Sequence, residues 1–122
     1  MTKGKIYILK IIMKLMENIT IFREFIGDNP TTRILEFLME GKDFDYSLTD
    51  IANNSGVSWR TVHRIFPRFI KNNIAIKTRM IGRAQLYKIN DKNESVKKLI
   101  ELFNKLMINE LESMENKQLI KV

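Results

Sequence analysis

Hydrophobic residues recur every three or four positions between residues 30 and 71, a spacing that predicts a series of short amphipathic helices. The first helix should begin at Pro30, with Asn29 as its N-cap, and end before Gly41. Residues 47–50 read Ser-Leu-Thr-Asp, which is the form of a capping box. A second, shorter helix should therefore run from there to about Asn54.

A third helix is predicted after a tight turn at Gly56, a residue type that adopts the positive φ such corners require. Ser58 is placed to cap it. Its apolar side consists of Val62, Ile65, Phe66, Phe69 and Ile70. Its opposite side consists of Arg60, His63, Arg64, Pro67 and Lys71. One face of this helix should be core, and the other should be polar and cationic.

Pro67 lies in the middle of the third helix, where a proline removes a hydrogen bond and crowds the carbonyl of His63. We expect a bend or a restart of the helix at this point, on its solvent side.

The pattern then changes to residues with strand preference, in two runs at 74–79 and 84–89 that are separated by a turn at Gly82. These runs predict a β-hairpin with Arg79 and Arg83 at its tip. The fold class is therefore mainly α with a small β-hairpin, together with helical extensions at both ends.

A long last helix should begin at Asn93 or Ser95 and carry an apolar stripe over more than two heptads. This stripe predicts an interface helix, and we favour a homodimer over the alternative that the helix folds back on its own domain. Residues 92–122 are accordingly assigned to dimerisation, residues 28–91 to the central domain and residues 1–27 to an N-terminal helical extension.

The apolar run at the N-terminus is interrupted by Lys10 and Lys14 and is shorter than the roughly 20 residues that span a bilayer, so we predict no membrane anchor. One hypothesis is that translation begins at Met13 or Met16. The alternative is that residues 1–15 form an amphipathic helix at the dimer interface.

The net charge of +7 is concentrated in one third of the chain. Residues 51–90 contain no Asp or Glu and eight basic residues, whereas the rest of the chain holds 13 basic and 14 acidic residues. Such a segregated distribution predicts a localised surface that binds a polyanion.

Residue types that carry catalysis or metal binding are scarce. The chain has no cysteine and one histidine, and the acid-free segment contains neither a carboxylate pair nor a nucleophile beside a base. We therefore predict a cytoplasmic protein with no disulfide, metal or cofactor, and one that is not an enzyme.

The order helix, helix, turn, helix, basic hairpin resembles the winged helix-turn-helix transcription regulators of archaea over about residues 28–105. Three segments at 48–52, 56–64 and 81–90 carry the resemblance: LTDIA, GVSWRTVHR and IGRAQLYKIN. It implies sequence-specific binding of double-stranded DNA and control of transcription. The third helix would lie in the major groove, and the hairpin, or wing, would lie on the adjacent minor groove or the backbone.

Arg60 and Arg64 lie one turn apart on the polar face, and the arginine fork matches the two acceptors of guanine. We expect base contacts from these two residues, with phosphate contact as the alternative for either. Ser58 and Thr61, at the helix start, are phosphate candidates, although Ser58 can equally serve as a cap alone.

Trp59 has two possible roles. It either contacts DNA, at a phosphate, a sugar or a thymine methyl group, or it packs against the wing or the first helix. The further DNA candidates are His63, Arg68 and Lys71 on the helix and Lys77, Arg79 and Arg83 on the wing. Lys77 and Lys88, lower on the strands, should contribute only to the electrostatic field.

Three other binding functions compete with this interpretation. A winged helix can serve protein–protein contact, which predicts an apolar or mixed recognition face. A nucleoid-type protein would bind DNA without sequence preference. RNA or single-strand binding usually displays several stacking aromatics, and here only Trp59 is expected to be exposed.

Overall fold

The structure, a computed structural model, describes residues 19–120 and the side chains of residues 19–116. The elements in chain order are α1 (Ile21–Ile26), α2 (Pro30–Glu40), α3 (Leu48–Ser55), α4 (Trp59–Lys71), β1 (Ala75–Ile81), β2 (Ala84–Ile89) and α5 (Glu94–Ile120). A mainly α fold with one β-hairpin is confirmed. The two hypotheses about residues 1–15 lie outside the described residues.

The chain divides into two compact units. Residues 29–101 form one unit, and the described residues 19–28 and 102–120 belong to the other.

Side-chain caps begin α2 and α3 at the predicted residues. The Asn29 side chain accepts a hydrogen bond from the Thr32 N–H at 3.0 Å, and Thr32 Oγ1 accepts one from the Asn29 N–H at 3.0 Å. In the same way, Ser47 Oγ accepts from the Asp50 N–H at 3.1 Å, and Asp50 accepts from the Ser47 N–H at 3.2 Å. Two N–H groups at each helix start are thereby satisfied.

Helices α3 and α4 form a helix-turn-helix. Gly56 makes the corner with a φ of 70°, in the left-handed region that favours glycine, and Ser58 caps α4. Helices α2, α3 and α4 pack against one another, and the hairpin packs on all three. The buried apolar side chains on the three helices are Ile34, Leu38, Met39, Ile51, Ala52, Val62, Phe66 and Phe69.

Strands β1 and β2 pair antiparallel and are joined by a two-residue turn, Gly82 and Arg83, in which Gly82 has a φ of 60°. Tyr46 adds a single bridge on the other edge of β2, with two hydrogen bonds of 2.7 and 2.8 Å to Tyr87. The register shifts by one residue between Lys77 and Met80, which is a β-bulge in β1. The wing therefore has the predicted turn, together with a bulge and a bridge to Tyr46 that were not predicted.

The restart predicted at Pro67 was wrong, because α4 runs from Trp59 to Lys71 as one helix with Pro67 inside it. Pro67 is exposed, so water can reach the carbonyl of His63 that a residue with an N–H would otherwise bind. The buried Phe66 and Phe69, on either side of the proline, hold both halves of α4 to the same core.

In the unit formed by residues 19–28 and 102–120, Thr20 caps α1 by accepting a hydrogen bond from the Arg23 N–H at 3.2 Å. The buried rings of Phe22 and Phe103 meet edge to face with their centroids 5.5 Å apart. Arg23 pairs with Asp28 at 3.5 Å. Within residues 19–120, no helix combines the length and the apolar content needed to cross a membrane.

Candidate nucleic-acid interface

Helix α4 is anchored through one face and exposed on the other. Val62, Phe66 and Phe69 are buried, and the Phe66 ring packs edge to face on Tyr87 of β2, with centroids 4.8 Å apart. This contact joins the helix to the wing. Because the apolar face is held between the neighbouring helices and the hairpin, the opposite face must point to solvent.

Four cations lie on that exposed face: Arg60, Arg64, Arg68 and Lys71. Among the described residues, none of their side chains forms an ion pair or a hydrogen bond. A helix rises about 1.5 Å per residue, so successive arginines at a spacing of four stand about 6 Å apart along the axis. The four charges form a stripe that no carboxylate of residues 19–116 neutralises.

Arg64 and Arg68 also line an open groove of about 400 Å³ between the start of α2 and the second half of α4. Asn29, Thr31 and Phe69 also line this groove. The start of α2, which is the positive end of its dipole, and two arginines thus border the same space, which favours negative charge there.

The N-terminal turn of α4 is ordered by hydroxyl groups. Ser58 Oγ accepts from the Thr61 N–H at 3.2 Å and donates to Thr61 Oγ1 at 2.8 Å. The predicted cap is confirmed, and the role of these two residues toward phosphate stays a prediction. The N–H groups of Trp59 and Arg60, the first two of the helix, have no acceptor within it, so these two remain available at this end.

Trp59 stacks on His63, one turn further along the same helix, with ring centroids 3.6 Å apart. This contact differs from both kinds of packing considered from the sequence, and it leaves 57% of Trp59 exposed. Nδ1 of His63 lies 2.9 Å from the Trp59 carbonyl oxygen. Because a carbonyl can only accept, Nδ1 is the donor in this contact.

On the wing, Arg83 occupies the turn and is exposed, whereas the Arg79 side chain points back to Asp45. Nε of Arg79 donates to Asp45 Oδ2 at 2.9 Å, and Nη2 donates to Oδ1 at 3.2 Å. The Thr78 hydroxyl donates to Oδ2 at 2.6 Å. Lys77 is exposed and Lys88 is half-buried, both on the strands, as expected.

The hydrogen bonds from Arg79 and, second, from Thr78 lower the pKa of Asp45 from its ordinary value of 3.8 to about 2. The same pair raises the pKa of Arg79. Asp45 is therefore ionised at neutral pH and cancels the charge of Arg79. The separation of 34 residues between Asp45 and Arg79 carries no signal in the sequence that could have linked the two.

No group of three or more His, Cys, Asp or Glu side chains among the described residues is arranged to hold a metal ion. The sites predicted from the sequence thus separate into three places. Ser58, Trp59, Thr61 and His63 form the first turns of α4, the four cations form the stripe, and the remaining residues lie on the wing.

The winged helix-turn-helix fold is shared with solved structures of low sequence identity. MepR of Staphylococcus aureus, a transcription regulator of the multidrug efflux pump MepA, has a TM-score of 0.59 at 16% identity over 97% of this chain and 84% of that chain. HlyU of Vibrio vulnificus, a transcriptional regulator, has a TM-score of 0.51 at 15% identity, over 80% and 96%.

AntR, an antimony-specific transcriptional repressor, has a TM-score of 0.53 at 24% identity over 83% of this chain and 85% of that chain. Neither the models of protein families nor the sequences of curated proteins match this chain. The likenesses therefore show the fold, which agrees with the helix-turn-helix and the hairpin described above.

Proposed function

We propose that the protein is a sequence-specific, double-stranded DNA-binding transcription regulator, with α4 in the major groove and the wing on the adjacent minor groove or backbone. The observation that carries this proposal is the unpaired cationic stripe on the exposed face of an anchored helix. A rigid helix with free guanidinium groups suits the major groove, whose width admits one helix.

The two ends of α4 have different roles in this proposal. Recognition helices contact base edges mainly through their N-terminal turns, so Arg60 and Arg64 read bases and the Trp59–His63 stack lies beside them. Arg68 and Lys71, further along, bind phosphates. Arg83 is the wing's contact to DNA.

The solved structures of similar fold are regulators by their names, and this supports a regulatory rather than an enzymatic role. The three motifs of the sequence support membership of the archaeal family, and the cysteine-free composition supports a cytoplasmic location. Residues 28–91 act as the DNA-binding domain in this proposal, with residues 1–27 as an extension and residues 92–122 as the dimerisation segment.

A homodimer through α5 is part of the proposal, supported by three exposed apolar side chains on that helix. Met107, Ile108 and Leu111 are exposed, Leu111 by 60%. Sedimentation velocity should show a dimer that Leu111→Asn converts to monomer, whereas Glu112→Gln, the adjacent exposed position, should not. A monomeric wild-type protein would contradict the dimer.

The test of DNA binding is fluorescence anisotropy with a duplex from the protein's own upstream region and a scrambled duplex, titrated with salt. A preference of about a thousandfold for the native duplex, with a steep salt slope, is expected of a specific regulator. Equal and steeply salt-dependent binding would support a nucleoid-type protein instead. Absence of binding at low salt would favour the protein-contact module.

The variants Arg60→Met and Arg64→Met test whether DNA binding depends on the exposed face of α4. Each should lower the affinity for the native duplex about tenfold or more. Lys105→Met removes the same charge from an exposed position on α5 and is the matched control. Equal losses in all three variants would mean that net charge, and not the face of α4, governs binding.

A further inference from the structure

The bulge in β1 brings two consecutive side chains to one carboxylate. Along a regular strand, Thr78 and Arg79 would point to opposite faces. Because the register shifts between Lys77 and Met80, two residues of β1 oppose Leu86 alone, and both side chains reach Asp45. A bulge is a frequent means of redirecting a side chain.

Asp45 connects β1 to the segment that leads into α3. Its neighbour Tyr46 pairs with β2, whereas the Asp45 carboxylate bonds to β1, on the far side of β2. Three hydrogen bonds from β1 to a carboxylate next to the start of α3 therefore restrain the wing relative to the helix-turn-helix.

The hydrogen bonds to Asp45 also occupy the edge of the Arg79 guanidinium group that would bind DNA. Nε and Nη2 form the fork that arginine uses for bidentate contact with phosphate or guanine, and both are bonded to Asp45. The Asp45 side chain is 16% exposed and the Arg79 side chain 64%, so the carboxylate is partly shielded from solvent and the guanidinium group is largely exposed. Arg83, in contrast, has no such partner among the described residues.

We propose that Asp45 is a positioning residue for DNA binding: it holds the wing in the orientation in which Arg83 meets the DNA, and Arg79 supports the wing without contacting DNA. This inference rests on the proposed function. It assigns a role to a carboxylate outside the basic segment and changes the role expected of Arg79.

The experiment is a double-mutant cycle with Asp45→Asn, Arg79→Met and the double variant, measured by anisotropy on the duplex that the wild type prefers. Each single variant should weaken binding about fivefold, and the double variant should be no weaker than either, because the two residues act as one unit. The salt slope should not change. Arg83→Met should lower the slope by about 0.9 for each phosphate that residue 83 no longer neutralises.

Asp43→Asn is the matched control, because it makes the same charge change at an exposed residue two positions away. It should leave the affinity within about twofold of wild type. A lower salt slope for Arg79→Met, or tighter binding by Asp45→Asn than by Asp43→Asn, would overturn the proposal by showing that Arg79 itself binds DNA.

A measurement without DNA separates a loosened wing from a failure to fold. Hydrogen exchange of the free protein should be several times faster in the wing of Asp45→Asn and Arg79→Met, with α2 and α4 as protected as in wild type. Unchanged exchange in the wing would overturn the inference. If the wild-type protein binds no duplex, both the proposed function and this inference are wrong. If it binds DNA but the double-mutant cycle shows no coupling, only this inference is wrong.

Discussion

Replacing Pro67 with alanine should stabilise the protein, because the proline lies inside a continuous helix that it does not interrupt. Alanine restores the N–H that donates to the carbonyl of His63 and removes the contact between the ring and that carbonyl. It also relieves the restriction that proline places on the preceding residue, Phe66, which must be helical here.

The magnitude follows from two opposing terms. A proline in a helix interior is about 3 kcal/mol less favourable than alanine. Alanine also makes the unfolded chain more flexible, which stabilises the unfolded state by about 0.4–1 kcal/mol. Because Pro67 is exposed, water already satisfies part of the freed carbonyl, and the net gain in the free energy of unfolding should be about 2 kcal/mol.

Urea unfolding followed by circular dichroism measures this gain, with Lys71→Ala as a neighbouring exposed control that should change stability by less than about 0.5 kcal/mol. DNA affinity should stay within about twofold, since the base-reading turns precede residue 67. A Pro67→Ala protein that is no more stable than wild type would refute the reasoning. It would mean that the proline geometry is needed to seat Phe66 and Phe69 together.

Three further predictions concern the corner, the stripe and the wing. Gly56→Ala should lower the free energy of unfolding, measured in urea, by about 1–2 kcal/mol, which is the cost of a positive φ at a residue with a Cβ. The added Cβ meets nothing closer than 3.8 Å, so a steric clash does not contribute. Gly56→Asn should recover part of the loss. In anisotropy, Arg64→Met should weaken binding to the native duplex by about 1–3 kcal/mol and leave binding to the scrambled duplex nearly unaffected. Arg68→Met should weaken binding to both duplexes and lower the salt slope by about 0.9. Identical effects of the two variants would contradict the assignment of base contact to Arg64 and phosphate contact to Arg68. The pKa of Asp45 is lowered to about 2 in the folded protein, so its stabilising contribution is fully present above about pH 4 and is lost as the pH falls toward 2. Asp45→Asn should remove this part of the acid-unfolding curve, and an unchanged curve would show that the pair does not contribute.

Several contacts at the candidate site had a local signal, and one of these was missed. The caps at Asn29, Ser47 and Ser58 were predicted because each involves residues three positions apart. Trp59 and His63 are four apart on a helix, which is the spacing of neighbouring side chains, yet their stacking was not anticipated.

The sequence alone determined the starts of α2, α3 and α4, the glycine corner and the separation of apolar from cationic residues along α4. These features depend on hydrogen bonds within one turn and on the φ that a residue type allows, so a short window of sequence contains all of their causes. The continuity of α4 through Pro67 could not be decided in this way, because buried residues on both sides of the proline outweigh its local preference.

Only the tertiary structure decided which charges of the basic segment remain free. Arg79 and Arg83 look alike in sequence, but the bulge and the bridge between Tyr46 and Tyr87 bring Asp45 to the first and not to the second. Pairing across 34 residues depends on strand register and on where the loop before α3 lies, and both are set by packing against the core. The distribution of charge along the chain therefore followed from the sequence, whereas the fold decided that Arg79 is paired and Arg83 is not, among the described residues.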